Sequence, residues 1–141
     1  MIDNRISLDG LKPSQRLDAL LEVMAKVHDE HFDWGTWANR VPKSLNELTM
    51  ASVDPSCGTR ACVAGTAAVA FQGWSWDGLF PIFQGNGQSS FHSFAECFGI
   101  TEFEAEDICL PGGRSGLYRN DKAGAVQAIT DVRNKYAARG E

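Results

Sequence analysis

The run of small residues from Thr59 to Phe71 constrains the fold more than any other feature of this chain. It reads T-R-A-C-V-A-G-T-A-A-V-A-F, and such short side chains let neighbouring segments approach a helix closely on more than one side. We expect Thr59 to cap this helix and the helix to lie buried at the centre of the protein. Glycine is costly inside a helix, so Gly65 is expected to lie where another segment crosses, and leucine there should destabilise by about 1–3 kcal/mol through overpacking.

An amphipathic helix is expected before this run. Ser14 follows Pro13 and can cap the helix with its hydroxyl. One further short turn is predicted at residues 46–51. The apolar face of the first helix recurs at three- and four-residue spacing and comprises Leu17, Leu20, Leu21, Met24, Val27 and His31.

The segment after the small-residue run predicts a small β-hairpin over residues 74–83. Asp77-Gly78 suits the positive backbone angles of a two-residue hairpin turn, and aromatic residues flank it. Ser90 is then expected to cap a helix that ends at Gly99.

Two more helices are predicted towards the C-terminus. Thr101 and Glu104 have the spacing of a capping box, and the helix that they start is expected to reach about Leu110. The last helix is expected to begin near Asp121. Its inward residues are predicted to be Val126, Ile129, Val132 and Tyr136.

These elements predict a mainly α fold. We expect a single compact helical domain over residues 1–141, with about five helices, a small β-hairpin near 74–83, and flexible termini at 1–12 and 139–141. A chain of 141 residues can bury one core, and 43% hydrophobic with 22% charged residues is typical of globular proteins. The first residues lack a basic region followed by an apolar run, so we expect a cytoplasmic protein without a membrane segment.

Charge and cysteine content narrow the classes of partner and cofactor. A net charge of -5 disfavours the neutralisation of phosphates, so duplex nucleic acid is not expected as a partner. The four cysteines are Cys57, Cys62, Cys97 and Cys109, and no two of them form a C-x-x-C pair. We therefore expect reduced thiols, no zinc and no cofactor, with Cys97 and Cys109 packed in the interior.

A cysteine nucleophile is one alternative to simple packing. Cys57 or Cys62 lies near the start of a helix and close to Arg60, and both features stabilise a thiolate. His92 is a partner for such a nucleophile only if the fold brings it there.

A metal site is a second alternative, at His28-Asp29-Glu30-His31. The two imidazoles lie three residues apart, close enough on a helix to share a metal. The metalloprotease helix has its histidines four residues apart, and this order does not match it. We expect a partly buried His31 and no metal.

Gly58, Thr59 and Arg60 form a candidate anion-binding site at the start of the central helix. Free N–H groups, a hydroxyl and a guanidinium can together hold a carboxylate or a phosphate. Arg114, within a glycine-rich loop at 112–116, is a candidate for a second backbone nest. The same residues are also explained if Thr59 is an ordinary helix cap and Arg60 lies in solvent. Both interpretations, anion site and simple cap, stay open.

The candidate protein-binding site consists of Trp74, Trp76, Phe80 and Phe83. These rings crowd a short segment that cannot bury all of them within one hairpin, and an apolar surface containing tryptophan is typical of interaction sites. The alternative is that the rings cover the core. If Trp74 or Trp76 is exposed, its replacement by alanine should weaken partner binding by at least about 2 kcal/mol.

The order of these motifs resembles small, functionally uncharacterised proteins of bacteriophages and bacteria. Their core pattern is C-G-T-x-x-C-x-A-G followed by small residues, found here at residues 57–65. A D-x-G-x-W-like segment precedes it at 33–37, and a phrase like F-G-[IL]-T-x-x-E-A follows at 98–105. The resemblance covers roughly residues 14–138, assigns no catalytic residue and implies a phage accessory function.

We therefore expect a non-enzymatic accessory protein that binds a host or phage protein. Small acidic phage proteins of this kind often occupy a host complex, so inhibition or modulation of a host machine, host defence included, is the predicted role. A small anionic-ligand or nucleotide binder using residues 58–60, and an enzyme with a cysteine nucleophile, are the alternatives. The oligomeric state is not predicted.

Overall fold

A computed structural model describes residues 5–39, 41–49, 60–84 and 89–141. Within these ranges the chain forms six α-helices, a 3₁₀ turn (Asp29–His31) and one two-stranded antiparallel sheet, which confirms the mainly α prediction. No helix in these ranges combines the length and the apolar content needed to cross a membrane. The elements are α1 (Pro13–Lys26), α2 (Asn46–Thr49), α3 (Val63–Ala70), β1 (Trp74–Asp77), β2 (Phe80–Phe83), α4 (Ser90–Phe98), α5 (Glu102–Cys109) and α6 (Lys122–Ala138).

Helix α3 is the centre of the core, as the run of small residues predicts. All eight of its residues are buried, and it contacts both strands as well as α1, α4 and α5. A Cβ atom on Gly65 would clash with the backbone carbonyl oxygen of Trp37. The prediction that another segment crosses at Gly65 is therefore confirmed, and the crossing segment is the one that contains Trp37.

The predicted start of this helix is wrong. Helix α3 begins at Val63, and its N-cap is Cys62, whose Sγ accepts a hydrogen bond from the Gly65 N–H at 3.4 Å. Ala61 cannot be helical because it forms β-bridges with Phe32 and with Ala38. In the first bridge its N–H donates to the His31 carbonyl at 2.9 Å, and its carbonyl accepts from the Asp33 N–H at 3.1 Å. The predicted cap, Thr59, lies outside the described residues.

Helix α1 also begins two residues earlier than predicted. Its N-cap is Lys12 and its first residue is Pro13, whose fixed φ suits that position. Ser14 therefore lies inside the helix, and its N–H and hydroxyl donate to the Glu141 carbonyl at 3.1 and 2.9 Å. The helix ends at Lys26, so His31 lies in the 3₁₀ turn and not on the α1 face.

The described N-terminal segment also contacts the core. The Ile6 N–H donates to the Ala70 carbonyl at 2.8 Å, and the Gln72 N–H donates back to the Ile6 carbonyl at 2.9 Å. The Arg5 guanidinium donates to the carbonyls of Ala68 and Trp74, each at 2.9 Å. These bonds hold against α3 part of a segment that the sequence predicts to be flexible.

The predicted hairpin forms at residues 74–83, with its turn shifted by one residue. Asp77 pairs with Phe80, so the turn consists of Gly78 and Leu79 instead of Asp77 and Gly78. Gly78 has a φ of 60°, a conformation that favours glycine at this first turn position.

Helix α4 ends at Gly99, as predicted, with that residue in the left-handed conformation. Its cap is Ser89 and not Ser90: the Ser89 hydroxyl accepts from the His92 N–H at 3.2 Å. The Ser90 hydroxyl instead donates to the Pro81 carbonyl at 2.7 Å and so joins α4 to the hairpin.

The predicted starts of α5 and α6 are confirmed. Thr101 and Glu104 form the capping box, and the Asp121 carboxylate accepts from the Gly124 N–H at 2.8 Å. Glu104 also accepts hydrogen bonds from Lys135 at 2.7 Å and from Tyr136 at 2.5 Å, which tie α5 to α6. Burial alone would raise the pKa of Glu104, but these bonds and those from Thr101 outweigh it and lower the pKa to about 2.

Candidate functional site

The hairpin places its four predicted binding residues in different surroundings. Trp74 is only 3% exposed, and its indole N–H donates to the Cys97 Sγ at 3.2 Å. Its ring lies 5.6 Å from that of Phe83, which is partly buried against the core, as is Trp76. Phe80, in contrast, is 58% exposed. The hypothesis that Trp74 is an exposed anchor is therefore wrong, because its indole belongs to the core.

The exposed apolar surface of the hairpin consists of Leu79 and Phe80, which we call the hairpin tip. Leu79 is 46% exposed and was not among the predicted binding residues. It occupies the second turn position, beyond the last strand pair, where neither sheet nor core covers it. Gly78, which precedes Leu79, is the sequence signal for an exposed turn residue at this position. It was missed because the turn was predicted one residue too early.

Contacts at both ends of β2 fix the position of the tip. Pro81, next to Phe80, is buried, and its carbonyl accepts the hydrogen bond from Ser90 on α4. At the other end, the Gln84 N–H donates to the Gly73 carbonyl at 2.8 Å. Both strands also contact α3. The tip is therefore an apolar projection on a supported base.

Other large apolar side chains are exposed elsewhere on the described surface. Phe103 is 64% exposed on α5, and the Arg114 guanidinium lies 4.4 Å from the centre of its ring. Leu117 is 84% exposed in the loop before α6. Phe103 is thus already covered in part by a cation, whereas no cation–π contact is recorded at Phe80 in the described residues.

The geometry does not favour the predicted anion site at the start of the central helix. Gly58 and Thr59 lie outside the described residues. The Arg60 N–H donates to the Asn39 side chain at 2.8 Å, two residues before the cap of α3. The Trp37 carbonyl lies against the first turn of α3, where it accepts from the Cys62 N–H at 3.4 Å. The protein's own backbone therefore occupies the place that an anion would need.

The second predicted nest, around Arg114, is also closed. The N–H of Arg114 donates to the Asp107 carboxylate at 3.1 Å, and the N–H groups of Gly113 and Gly116 donate to backbone carbonyls. The Arg114 guanidinium lies 3.2 Å from the Glu106 carboxylate. The donors that would hold an anion are therefore used within the protein.

A polar cleft of about 830 Å³ lies beside Arg60, between the 3₁₀ turn and the start of α6. Arg119 pairs with Asp121 at 2.8 Å, and the Lys122 ammonium donates to the Val27 carbonyl at 2.6 Å. Asp29, Glu30 and Asp33 also line the cleft. Because residues of both charge signs line it, the cleft does not concentrate the electrostatic field on a ligand of one charge.

The described cysteines are poor nucleophiles. Cys62, Cys97 and Cys109 are free and buried, which confirms the predicted interior packing of the latter two. Burial raises the pKa of Cys62 to about 11 and that of Cys97 to about 12, and it raises the pKa of Cys109 well above its usual value. The thiolate is the reactive form, so these raised pKa values disfavour nucleophilic chemistry at neutral pH. Cys57 lies outside the described residues.

Within the described residues, His92 and the pair His28 and His31 lie in separate surroundings. His92 lies between two carboxylates, 3.6 Å from Glu102 and 3.9 Å from Glu96. The rings of His28 and His31 meet edge to face with centres 6.4 Å apart, and His31 is buried. Among the described residues, no three metal-ligating side chains come together.

A comparison of the chain with known protein families, curated proteins and solved structures finds no match.

Proposed function

We propose that this chain is a non-enzymatic, phage-type accessory protein that binds a host protein complex and inhibits or modulates it. An anti-defence role falls within this proposal. The contact that we assign to it is the hairpin tip, Leu79 and Phe80. The observation that supports the proposal is the exposure of both side chains at the end of a supported hairpin.

An exposed phenylalanine on a fixed base has the properties of a binding anchor. Burial of an aromatic ring in a partner's pocket removes a large apolar area from water, and the ring has few rotors to immobilise. Because α3 and α4 hold the hairpin in place, its backbone loses little conformational entropy on binding. These properties favour binding at the hairpin tip over binding at Trp74, because the Trp74 side chain is buried in the core.

The thiol pKa values favour a binding role over the cysteine-nucleophile alternative. Cys62 would need an ionised thiol, and burial keeps it protonated at neutral pH. The anionic-ligand alternative is disfavoured for a separate reason, because the Trp37 carbonyl lies over the first turn of α3. We therefore propose no second function.

The experiment is a quantitative affinity purification from lysates of a panel of bacterial hosts. The bait is the full chain, and the variant is Phe80→Ala. The matched control is Phe103→Ala, which removes another exposed phenylalanine, on α5. Each variant is first shown by circular dichroism and thermal melting to be folded like the parent.

We expect one host protein or complex to copurify with the parent and with Phe103→Ala, and to be depleted with Phe80→Ala. Addition of the purified chain should then change the activity of that complex. Retention of the same protein by folded Phe80→Ala would exclude the hairpin tip as the contact, and an unchanged activity of the complex would exclude inhibition or modulation.

A further inference from the structure

A small cavity lies on another part of the described surface, between α3, α4 and the end of α5. Its volume is about 130 Å³. The turn at residues 34–37 forms one side. The residues that line it include Trp34, Trp37, Phe91, Cys62, Cys109 and Pro111.

Contacts within the protein hold the aromatic walls in place. Trp34 is 3% exposed, and its indole N–H donates to the Ile108 carbonyl at 2.8 Å. The rings of Trp37 and Phe91 meet edge to face with centres 5.3 Å apart. The Trp37 backbone is fixed in turn by its contact with Gly65. The cavity is therefore preformed and does not depend on a ligand for its shape.

The chemistry of the walls favours an uncharged, apolar occupant. None of the residues that line the cavity carries a formal charge at neutral pH, because burial keeps Cys62 and Cys109 protonated. The Thr36 hydroxyl, also on the wall, already donates to the Asp33 carboxylate at 3.1 Å. The Gly35 N–H is used in the same way, since it donates to the Asp33 carboxylate at 3.0 Å.

The size of the cavity sets the size of the ligand. An apolar cavity of about 150 Å³ in another protein holds benzene. A cavity of about 130 Å³ is close to that volume. We propose that it binds one small uncharged aromatic ring, as a free small molecule, with the two indoles and Phe91 as its contacts. This inference does not rest on the proposed function.

The test is a titration of the full chain with benzene, followed by tryptophan fluorescence and by the melting temperature. Tetramethylammonium, a cation of similar size, is the charged probe. Two variants alter the cavity. Phe91→Ala removes a wall. Gly35→Ala adds a methyl group beside the cavity, where a Cβ atom would lie 3.8 Å from Pro111 and 3.6 Å from Asp33, so the added group fits without a clash. Phe103→Ala, an exposed phenylalanine away from the cavity walls, is the control.

We expect a saturable response to benzene and none to tetramethylammonium. The dissociation constant should rise by about tenfold in Phe91→Ala and should also rise in Gly35→Ala, but should not change in Phe103→Ala. The absence of saturable binding up to the solubility of benzene would overturn the proposal. Equal affinity of the parent and both cavity variants would overturn the location, and tighter binding of tetramethylammonium would overturn the assignment of a neutral ligand.

Discussion

Replacement of Gly65 by alanine tests the packing at the centre of the fold. In an exposed helix this change would stabilise by about 1 kcal/mol, because alanine has the higher helix propensity. Here the new Cβ would clash with the Trp37 carbonyl oxygen and would lie 3.0 Å from the Ala61 side chain. Backbone must move, since the obstructing atom is not the end of a flexible side chain.

Overpacking of this kind costs about 1–3 kcal/mol, and displacement of the Trp37 carbonyl from its contact with the Cys62 N–H adds about 1 kcal/mol. After subtraction of the propensity gain, we expect Gly65→Ala to lower the free energy of unfolding by about 2 kcal/mol. For a chain of this length that corresponds to about 7 °C in melting temperature. Leucine should cost more than alanine.

Urea denaturation followed by far-ultraviolet circular dichroism measures this difference, with Gly35→Ala as the matched control. A Cβ at Gly35 meets its neighbours at ordinary contact distances, so that variant should unfold within about 0.5 kcal/mol of the parent. A Gly65→Ala midpoint equal to or above that of the parent would refute the close backbone crossing.

Three further outcomes are expected. The pKa of Glu104 is about 2 in the folded chain and 4.5 ordinarily, so its contribution to stability is complete above pH 4.5 and is lost as the pH falls towards 2. Glu104→Gln should therefore lower the free energy of unfolding by about 2–3 kcal/mol at pH 7, as measured by urea denaturation. A difference between parent and variant that persists at pH 2 would contradict this. Trp74→Ala should cost about 3–5 kcal/mol in the same assay, and a fully stable variant would show that the indole is not part of the core. In the native protein, Cys62 should react with iodoacetamide at least about a hundredfold more slowly than in the urea-unfolded protein. Protein purified without added metal should contain no stoichiometric zinc in elemental analysis. Rapid labelling or bound zinc would refute the assignment of the cysteines to packing.

The sequence correctly predicted those features that depend on residues close together in the chain. The capping box of Thr101 and Glu104 and the cap at Asp121 depend on residues three apart, and both form as expected. The small residues of α3 implied a buried helix, and Gly65 implied a close crossing. The identity of the crossing segment could not be predicted, because nothing near Trp37 in the sequence specifies its distant partner.

The predicted helix caps and helix starts were wrong where a contact with a residue distant in sequence determines which of several neighbouring residues takes the role. Ser89 and Ser90 are equally good caps, and the choice depends on the bond from Ser90 to the Pro81 carbonyl. Helix α3 starts late because Ala61 pairs with two segments far from it in sequence.

The candidate binding surface shows the same limitation. The aromatic content of residues 74–83 left two interpretations open, exposed rings or rings that cover the core, and it did not indicate which ring lies where. Trp74 is buried through its contact with Cys97, 23 residues further along the chain. Exposure of Leu79 and Phe80 follows from the turn register, which a shift of one residue changes.

The affinity of the Phe80→Ala variant for the copurified host complex tests the central claim most directly. Both the parent and the variant are titrated against the purified complex by calorimetry, with equal melting temperatures as the condition for comparison. We expect the dissociation constant to rise by at least about thirtyfold, which corresponds to about 2 kcal/mol for the loss of a buried aromatic anchor. A dissociation constant that stays within about twofold of the parent value would contradict the assignment of binding to the hairpin tip.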